Sequence, residues 1–276
     1  MSRSLTKLVV QPARRIAALL ERYRRGDRLR IYIARDVIAI SRTRGRFRTE
    51  LREKAVIPLP STPHDSARNI SEALRALTAW LHDRPHLGPV EWIIGSDHVR
   101  YLTLPWDEQL SSKAFCHTLA KALLSRQIDG NDTTFSSALL RLAPVSYGHP
   151  RLAAWIPDRV VHTLLAFSNG CGWRTTKITP VLAVVWDSFF DHFRKGEGVL
   201  ALIEGERLYR ASYDRGNIVE LTVRPFRNTD RRFPHSDVDF VFPANSVEGL
   251  GSKALKVQGM VSGDDLHMAY ALCGVL

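Results

Sequence analysis

His82 and His86 stand four residues apart, the spacing at which two imidazoles on one helix face can share a metal ion. Pro85 lies between them and breaks such a face, so no metal site is assigned there. Asp264, Asp265 and His267 are also ligand types in close succession. Carboxylates at the start of an apolar segment more simply accept the free N–H groups of a helix, so they read as caps of a closing helix over 264–272. Asp237 and Asp239 alternate with Val238 and Phe240, which places them on the solvent side of a strand. Cys116 and His117 are adjacent, about 100° apart on a helix, and do not form a nucleophile–base pair. Gly249-Leu250-Gly251-Ser252-Lys253 is too short for a G-x-x-x-x-G-K-[ST] phosphate loop. G-x-S-x-G, C-x-x-C and H-E-x-x-H do not occur. No catalytic residue and no metal ligand is assigned.

The elements that would position any site follow from periodicity. Residues 12–25 read as an amphipathic helix, opened by Pro12 and closed by Gly26. Ile16, Leu19, Leu20 and Tyr23 lie on one side, with Arg14, Arg15, Arg22, Arg24 and Arg25 on the other. Three antiparallel strands follow over 29–59, then a helix at 67–82 that Pro85 ends. Strands are expected at 91–95 and 98–104, a helix at 107–127, strands at 139–142 and 152–156, and a helix at 158–168. A strand at 173–178 leads to a helix opened by Pro180 and running to 193. A second three-stranded meander occupies 199–203, 207–213 and 218–223. A charged loop at 227–236, a strand at 238–242 and the closing helix complete the reading. Each half therefore opens with a meander.

Composition bounds the function. The 276 residues are 45% hydrophobic and 24% charged, ordinary values for a packed protein. No apolar run approaches the roughly 20 residues of a membrane span, and no secretory signal is visible. Three scattered cysteines make no disulfide framework and fit a reducing cytosol. The net charge of +11 resides in residues 1–54, which hold 16 basic and 5 acidic residues. A basic end on a neutral body suggests contact with an anionic membrane surface or an acidic partner. Nucleic acid is disfavoured as a partner, because the aromatics are not interleaved with the arginines as stacking platforms. Trp106, following Leu104-Pro105, is a candidate partner anchor, with core packing as the other reading.

Residues 91–185 carry a resemblance. The stretch EWIIGSDHVRYLTLPW, a helix, and then RLAAWIPDRVVHTLLAFSNGCGWRTTKITPVLAVV resembles the PilM and GspL families, the actin-like cytoplasmic proteins of type IV pilus and type II secretion systems. Leu104-Pro105, Trp155-Ile156-Pro157, Gly172-Trp173 and Ile178-Thr179-Pro180 are the matching steps, and 270–276 resembles a closing PilM helix. The resemblance implies an α/β, actin-like ATPase (ribonuclease H-like) fold. Its two lobes each have a mixed sheet opening in an antiparallel three-stranded meander, degenerate and trimmed. The organisation so implied is a basic amphipathic helix over 1–28, a first lobe over 29–195 with an inserted subdomain at about 105–150, and a shortened second lobe over 196–276. In members that bind nucleotide, a D-x-G phosphate loop follows the first strand of each lobe; the glycine lets backbone N–H groups approach phosphate. At those positions this chain has Ala34-Arg35-Asp36 and Glu204-Gly205-Glu206. Gly249 and Gly251 are what remains of an adenosine-site glycine cluster. The cleft so read is degenerate, with ATP and magnesium not expected. The implied role is a non-catalytic cytoplasmic scaffold that binds an inner-membrane pilus or secretion protein, with a peripheral membrane contact through the basic helix. The absence of a membrane span after the cytoplasmic part is closer to PilM than to GspL. A divergent ATPase or sugar-kinase-like enzyme and a nucleic-acid binder stand as alternatives.

Overall fold

Leu29, Ile31 and Ile33 alternate with Arg30 and Tyr32 along β1 (Arg28–Ile33), and the strand is buried on both sides from Leu29 onward. The computed structural model describes residues 27–45, 49–60, 66–84, 86, 88–127, 137–226, 237–247 and 253–275. The helix expected over 12–25 with its arginines Arg14, Arg15, Arg22, Arg24 and Arg25, the loop 227–236, and Gly249 and Gly251 lie outside those residues.

β1 pairs antiparallel with β2 (Val37–Arg44), and β2 with β3 (Glu50–Pro58). β4 (Pro89–Ile94) joins the other side of β1 in parallel, and β8 (Arg174–Pro180) joins β4 in parallel, giving the order β3-β2-β1-β4-β8. Parallel returns need crossovers. These are supplied by α1 (Ser66–Leu81) before β4 and α3 (Asp158–Gly170) before β8. Ile70, Leu74 and Leu77 of α1 and Val160 and Leu164 of α3 pack on the face that carries Leu29, Ile31, Ile33, Ile38, Ile40 and Trp92. Each such side chain contributes about 1.5–3 kcal/mol by leaving water.

The opposite face carries Tyr32, Ala39 and Ile93, covered by α4 (Val181–Ser188) and α6 (Met268–Leu272). A polar row also crosses this face. Ser41 Oγ donates to the Ala271 carbonyl at 2.8 Å and Arg30 Nη1 donates to the Cys273 carbonyl, so two carbonyls at the end of α6 find partners in the sheet. Lys54 pairs with Asp264 at 2.5 Å. The closing helix, read from the sequence with the second lobe, thus packs on the first sheet. It is also shorter than the expected 264–272, because Asp264 binds Lys54 rather than capping it.

The second sheet has the order β11-β10-β9-β12. It is built from β9 (Glu197–Glu204), β10 (Arg207–Asp214), β11 (Asn217–Pro225) and β12 (Phe240–Phe242), the last parallel to β9. Arg215 and Gly216 both have positive φ, 45° and 78°, the geometry of a two-residue hairpin turn that matches strand twist. Leu200, Leu202, Tyr209 and Ala211 meet α4 and α6 from their other side, so these helices form a central layer between the two sheets.

The third sheet, β5-β7-β6, consists of β5 (Arg100–Leu104), β6 (Ala138–Leu142) and β7 (Arg151–Pro157), with α2 (Lys113–Gln127) on one face. It extends past the 105–150 bounds read for the inserted subdomain, because β5 and β7 pair with each other and not with the first sheet. The single helix expected from Pro180 to 193 is interrupted at Phe189, with φ −115° and ψ 18°, leaving α4 and a one-turn α5 (Phe190–Phe193).

Candidate functional site

Ala34 and Glu204, one from each lobe, both approach Gly95 at a corner where the lobes meet. Ala34-Arg35-Asp36 joins β1 to β2, closed by the Ala34 N–H donating to the Val37 carbonyl at 3.0 Å. Gly205-Glu206 joins β9 to β10, with Gly205 at φ 56°. The three residues of the second turn have different fates. Gly205 and Glu206 are exposed, while Glu204 is buried at 6% exposure and reaches across to the first lobe.

There the Glu204 carboxylate is fully occupied. Tyr32 Oη donates to Oε1 at 2.7 Å, and the Ser96 N–H donates to Oε1 at 3.0 Å and Oε2 at 3.1 Å. The Ser96 hydroxyl donates to Oε2 as well. Ser96 follows Gly95 at the end of β4. A Cβ on Gly95 would sit 2.7 Å from Glu204 Oε1 and 2.8 Å from the Ile33 carbonyl, so glycine is what lets β4 and Glu204 approach. Burial pushes Glu204 above the ordinary carboxylate range, while the hydrogen bonds from Ser96 and Tyr32 pull it down and offset part of that rise. Tyr32, Tyr101, Tyr209 and Tyr270 surround it, each pushed upward first by burial and then by the Glu204 charge. Tyr32 stacks on Tyr270 with centroids 4.7 Å apart, and Tyr270 Oη donates to the Ile203 carbonyl. Arg207 pairs with Asp97 at 3.2 Å beside this cluster. The corner therefore already holds a carboxyl group supplied by the chain itself, and the Tyr32 and Ser96 donors are engaged by it.

Next to the corner, His98 is buried with neither ring nitrogen in a hydrogen bond of normal geometry. Burial drives it down to about 4, so it is neutral at pH 7.

A second feature is an open groove of about 550 Å³. Its floor is the third-sheet face away from α2, where Tyr101, Ala154 and Arg141 stand in register across β5, β7 and β6. Ala183 and Trp186 of α4 form the facing wall, and Arg215 to Ile218 close one end. The loop over 143–150 closes the other side. It is tied to the second lobe by the Ser146 N–H donating to Asn217 Oδ1 at 3.0 Å and by His149 lying 3.9 Å from Asp214. Trp106 lies at the surface, 37% exposed, with its ring edge-on to the exposed Tyr147 of that loop at 4.7 Å.

This geometry can be set against known proteins. No protein-family model matches the chain, and no curated protein matches it. Among solved structures, the PilM–PilN type IV pilus biogenesis complex matches over 75% of this chain and 64% of that chain, at 15% identity and TM-score 0.51. The chain has the actin-like ATPase fold. Two further solved structures match with TM-scores of 0.46. The cytoplasmic domain of EpsL, an inner membrane component of the Vibrio cholerae type II secretion system, is 10% identical over 72% of this chain and 71% of that one. A Bacteroides thetaiotaomicron protein with an actin-like ATPase fold and unknown function is 12% identical over 75% and 73%.

Of the residues read as a degenerate cleft, Ala34 and Glu204 both approach Gly95, while Gly205 and Glu206 are exposed in the turn after β9. The Glu204 side chain is turned inside and its carboxyl oxygens are hydrogen-bonded. Asp237 and Asp239 are exposed on either side of the buried Val238, and Asp239 Oδ2 also accepts the Val199 N–H at 2.8 Å. Among the described residues no cluster of three metal-ligand types occurs, and no helix is long and apolar enough to cross a membrane. Ser96 and the four tyrosines were not singled out from sequence. The signal available was Gly95-Ser96-Asp97, a glycine followed by two polar residues between two expected strands.

Proposed function

We propose that this protein is a non-catalytic scaffold of a type IV pilus or type II secretion-like assembly. In this reading it works at the cytoplasmic face of the inner membrane and holds a segment of an inner-membrane protein in the groove between the third sheet and α4. The observation that carries the reading is the Glu204 carboxylate in the lobe corner. In an actin-like fold the two hairpin turns flank the phosphates of a nucleotide. Here a triphosphate would meet a buried carboxylate, and the Ser96 and Tyr32 donors are already engaged by it. Binding would require Glu204 to leave, stranding its partners. ATP and magnesium therefore have no place in the function.

The fold likeness to a PilM–PilN complex supports a partner of the same kind, and the groove offers the chemistry. Ala154, Leu182 and Ile218 give it apolar surface; Arg141 is a cation in its lining, Arg215 is paired with Asp214 at 3.0 Å, and Asp187 is a carboxylate in the same lining. An apolar segment flanked by acidic residues, as found beside a membrane anchor, would suit it. The basic residues before β1 would add contact with anionic headgroups.

Two measurements test the reading. Calorimetry with ATP and magnesium should show no binding; micromolar affinity would overturn the scaffold assignment in favour of an ATPase. Affinity capture from detergent-solubilised inner membranes should retain a membrane protein on the wild type and lose it on Ala183→Trp, which fills the groove from a half-buried position. Equal capture by both would remove the groove from the proposal.

A further inference from the structure

The face of the first sheet under α6 is not covered to its end. α6 is five residues long, and beyond it the starts of β1, β4 and β8 border a hollow of about 300 Å³. Arg28, Arg30, Arg174 and Lys177 all line it, with Glu91 as the one carboxylate. The strand register explains why they converge. Arg30, Glu91 and Lys177 form one row across β1, β4 and β8, and Pro89 with Arg174 belongs to the row before it. Arg28 precedes the Leu29–Val90 pair and so falls beside Pro89. Adjacent strands are about 4.8 Å apart and alternate residues about 6.6 Å apart, so the four cations mark the corners of a patch of roughly 10 by 7 Å.

Their charge is not balanced. Arg30 pairs with Glu91 at 3.1 Å and is spent. Arg28, Arg174 and Lys177 are exposed and make no ion pair within 4.0 Å among the described residues, although Asp187 feels the Lys177 charge. Other cations of the same sheet are paired: Arg42 with Glu53, Lys54 with Asp264, Arg52 with Glu50. Three like charges in one concavity repel unless an anion enters, and guanidinium forks with an ammonium suit the oxygens of a phosphate group.

The geometry points to a phosphate-binding site in this hollow, built by Arg28, Arg174 and Lys177, with the Arg30–Glu91 pair holding its floor. The phosphate is borne either by an anionic phospholipid headgroup or by a small soluble phosphate ester. The site is separate from the groove and stands whether or not the groove binds a partner.

The test compares the full-length wild type, Arg28→Gln/Arg174→Gln/Lys177→Gln, and a control that loses the same charge from exposed positions of α2, Lys113→Gln/Lys121→Gln/Arg126→Gln. One arm measures sedimentation with phosphatidylglycerol vesicles and the other calorimetry with glycerol 3-phosphate, both at 0.05 and 0.15 M salt. A basic residue near an anionic lipid surface adds about 1 kcal/mol, roughly fivefold, so the hollow triple should lose on the order of 100-fold in vesicle binding. The control should lose far less. Loss confined to vesicles identifies a lipid-borne phosphate, and loss of heat with glycerol 3-phosphate identifies a soluble one. The proposal is overturned if the wild type binds neither probe, or if the hollow triple and the control behave alike in both arms. The three side chains are exposed and unpaired, and thermal unfolding verifies that the triple folds. Should it not fold, Arg174→Gln/Lys177→Gln on the edge strand β8 gives the same comparison, with Lys113→Gln/Lys121→Gln as its control.

Discussion

Replacing Glu204 by alanine and by glutamine separates the two things this side chain does. Alanine removes the acceptor for Tyr32 Oη and for the Ser96 N–H, both buried, and for the Ser96 hydroxyl, which can rotate away and is not counted. A buried donor left without a partner costs about 1–3 kcal/mol, so two cost about 2–6 kcal/mol. Removing the carboxylate returns part of this, because its own desolvation is no longer needed. A net loss of about 2–4 kcal/mol is expected near pH 7. Glutamine keeps one acceptor oxygen for the same two donors and should cost less than about 1.5 kcal/mol. The pH dependence differs in sign from that of an exposed ion pair. Glu204 has a folded pKa raised above its unfolded value, so the native state binds the extra proton. Its contribution is fully present below the unfolded carboxylate pKa of about 4.5 and declines as pH rises through the folded value. Glutamine should abolish that decline. Urea unfolding at pH 4.5, 6 and 7.5, with m-values compared, reads both effects. If the alanine variant lies within about 0.5 kcal/mol of wild type at pH 7.5, the carboxylate does not hold this corner, and the lobe-junction argument fails.

His98 should act in the opposite sense. Its folded pKa of about 4 lies below the ordinary 6.5, so stability it contributes above pH 6.5 is lost as pH falls toward 4, up to about 3 kcal/mol at 1.36 kcal/mol per pH unit, and His98→Gln should flatten that limb of a stability–pH curve. Gly95→Ala should destabilise by about 1–3 kcal/mol in thermal unfolding, because its Cβ meets the Ile33 carbonyl, a backbone atom that yields little. Trp106→Ala should remove an aromatic pair worth about 0.5–1.5 kcal/mol and speed proteolytic cleavage at Tyr147 without changing global stability by more than that.

Much of the architecture was legible because it is local. Meanders betray themselves by alternation and tight turns, and α1 and α3 by apolar periodicity closed by proline or glycine. The site was less so, since its contacts are distant in sequence. Ser96 and Glu204 are 108 residues apart, and Arg30 and Cys273 are 243 apart. Nothing in a hairpin turn of sequence Glu-Gly-Glu distinguishes the carboxylate that turns inward from the one that stays out. The basic N-terminal stretch shows the same limit. Its charge was countable, but within 28–54 the folded chain pairs Arg30, Arg42, Arg52 and Lys54 with carboxylates. Sequence supplies the sign of each charge, while its partner depends on which strands become neighbours. Phe189 illustrates a further case: the helix pattern continues through it, yet packing against Phe242 and the turn of the second sheet ends α4 there.

The corner and the groove share one residue, and that makes them testable as a unit. Tyr101 lies in the groove floor, and its hydroxyl accepts the N–H of Leu182, the second residue of α4, at 3.4 Å. Its ring meets Tyr209 of the second sheet edge-on at 6.1 Å, within the tyrosine cluster around Glu204. An actin-like fold that closes on nucleotide would change the angle between its lobes. In this chain Glu204 with Ser96 and Tyr32, and Arg207 with Asp97, bind the lobes together without a ligand. The groove wall made by Arg215 to Ile218 belongs to one lobe and its floor to the inserted sheet, so a fixed junction keeps the groove shaped before a partner arrives, which lowers the entropic cost of binding. Glu204→Ala should therefore weaken partner capture about tenfold although Glu204 does not line the groove, whereas Glu204→Gln should leave capture near wild type. Capture lost equally in both variants would point to the charge itself, and capture unchanged in both would show that corner and groove are independent.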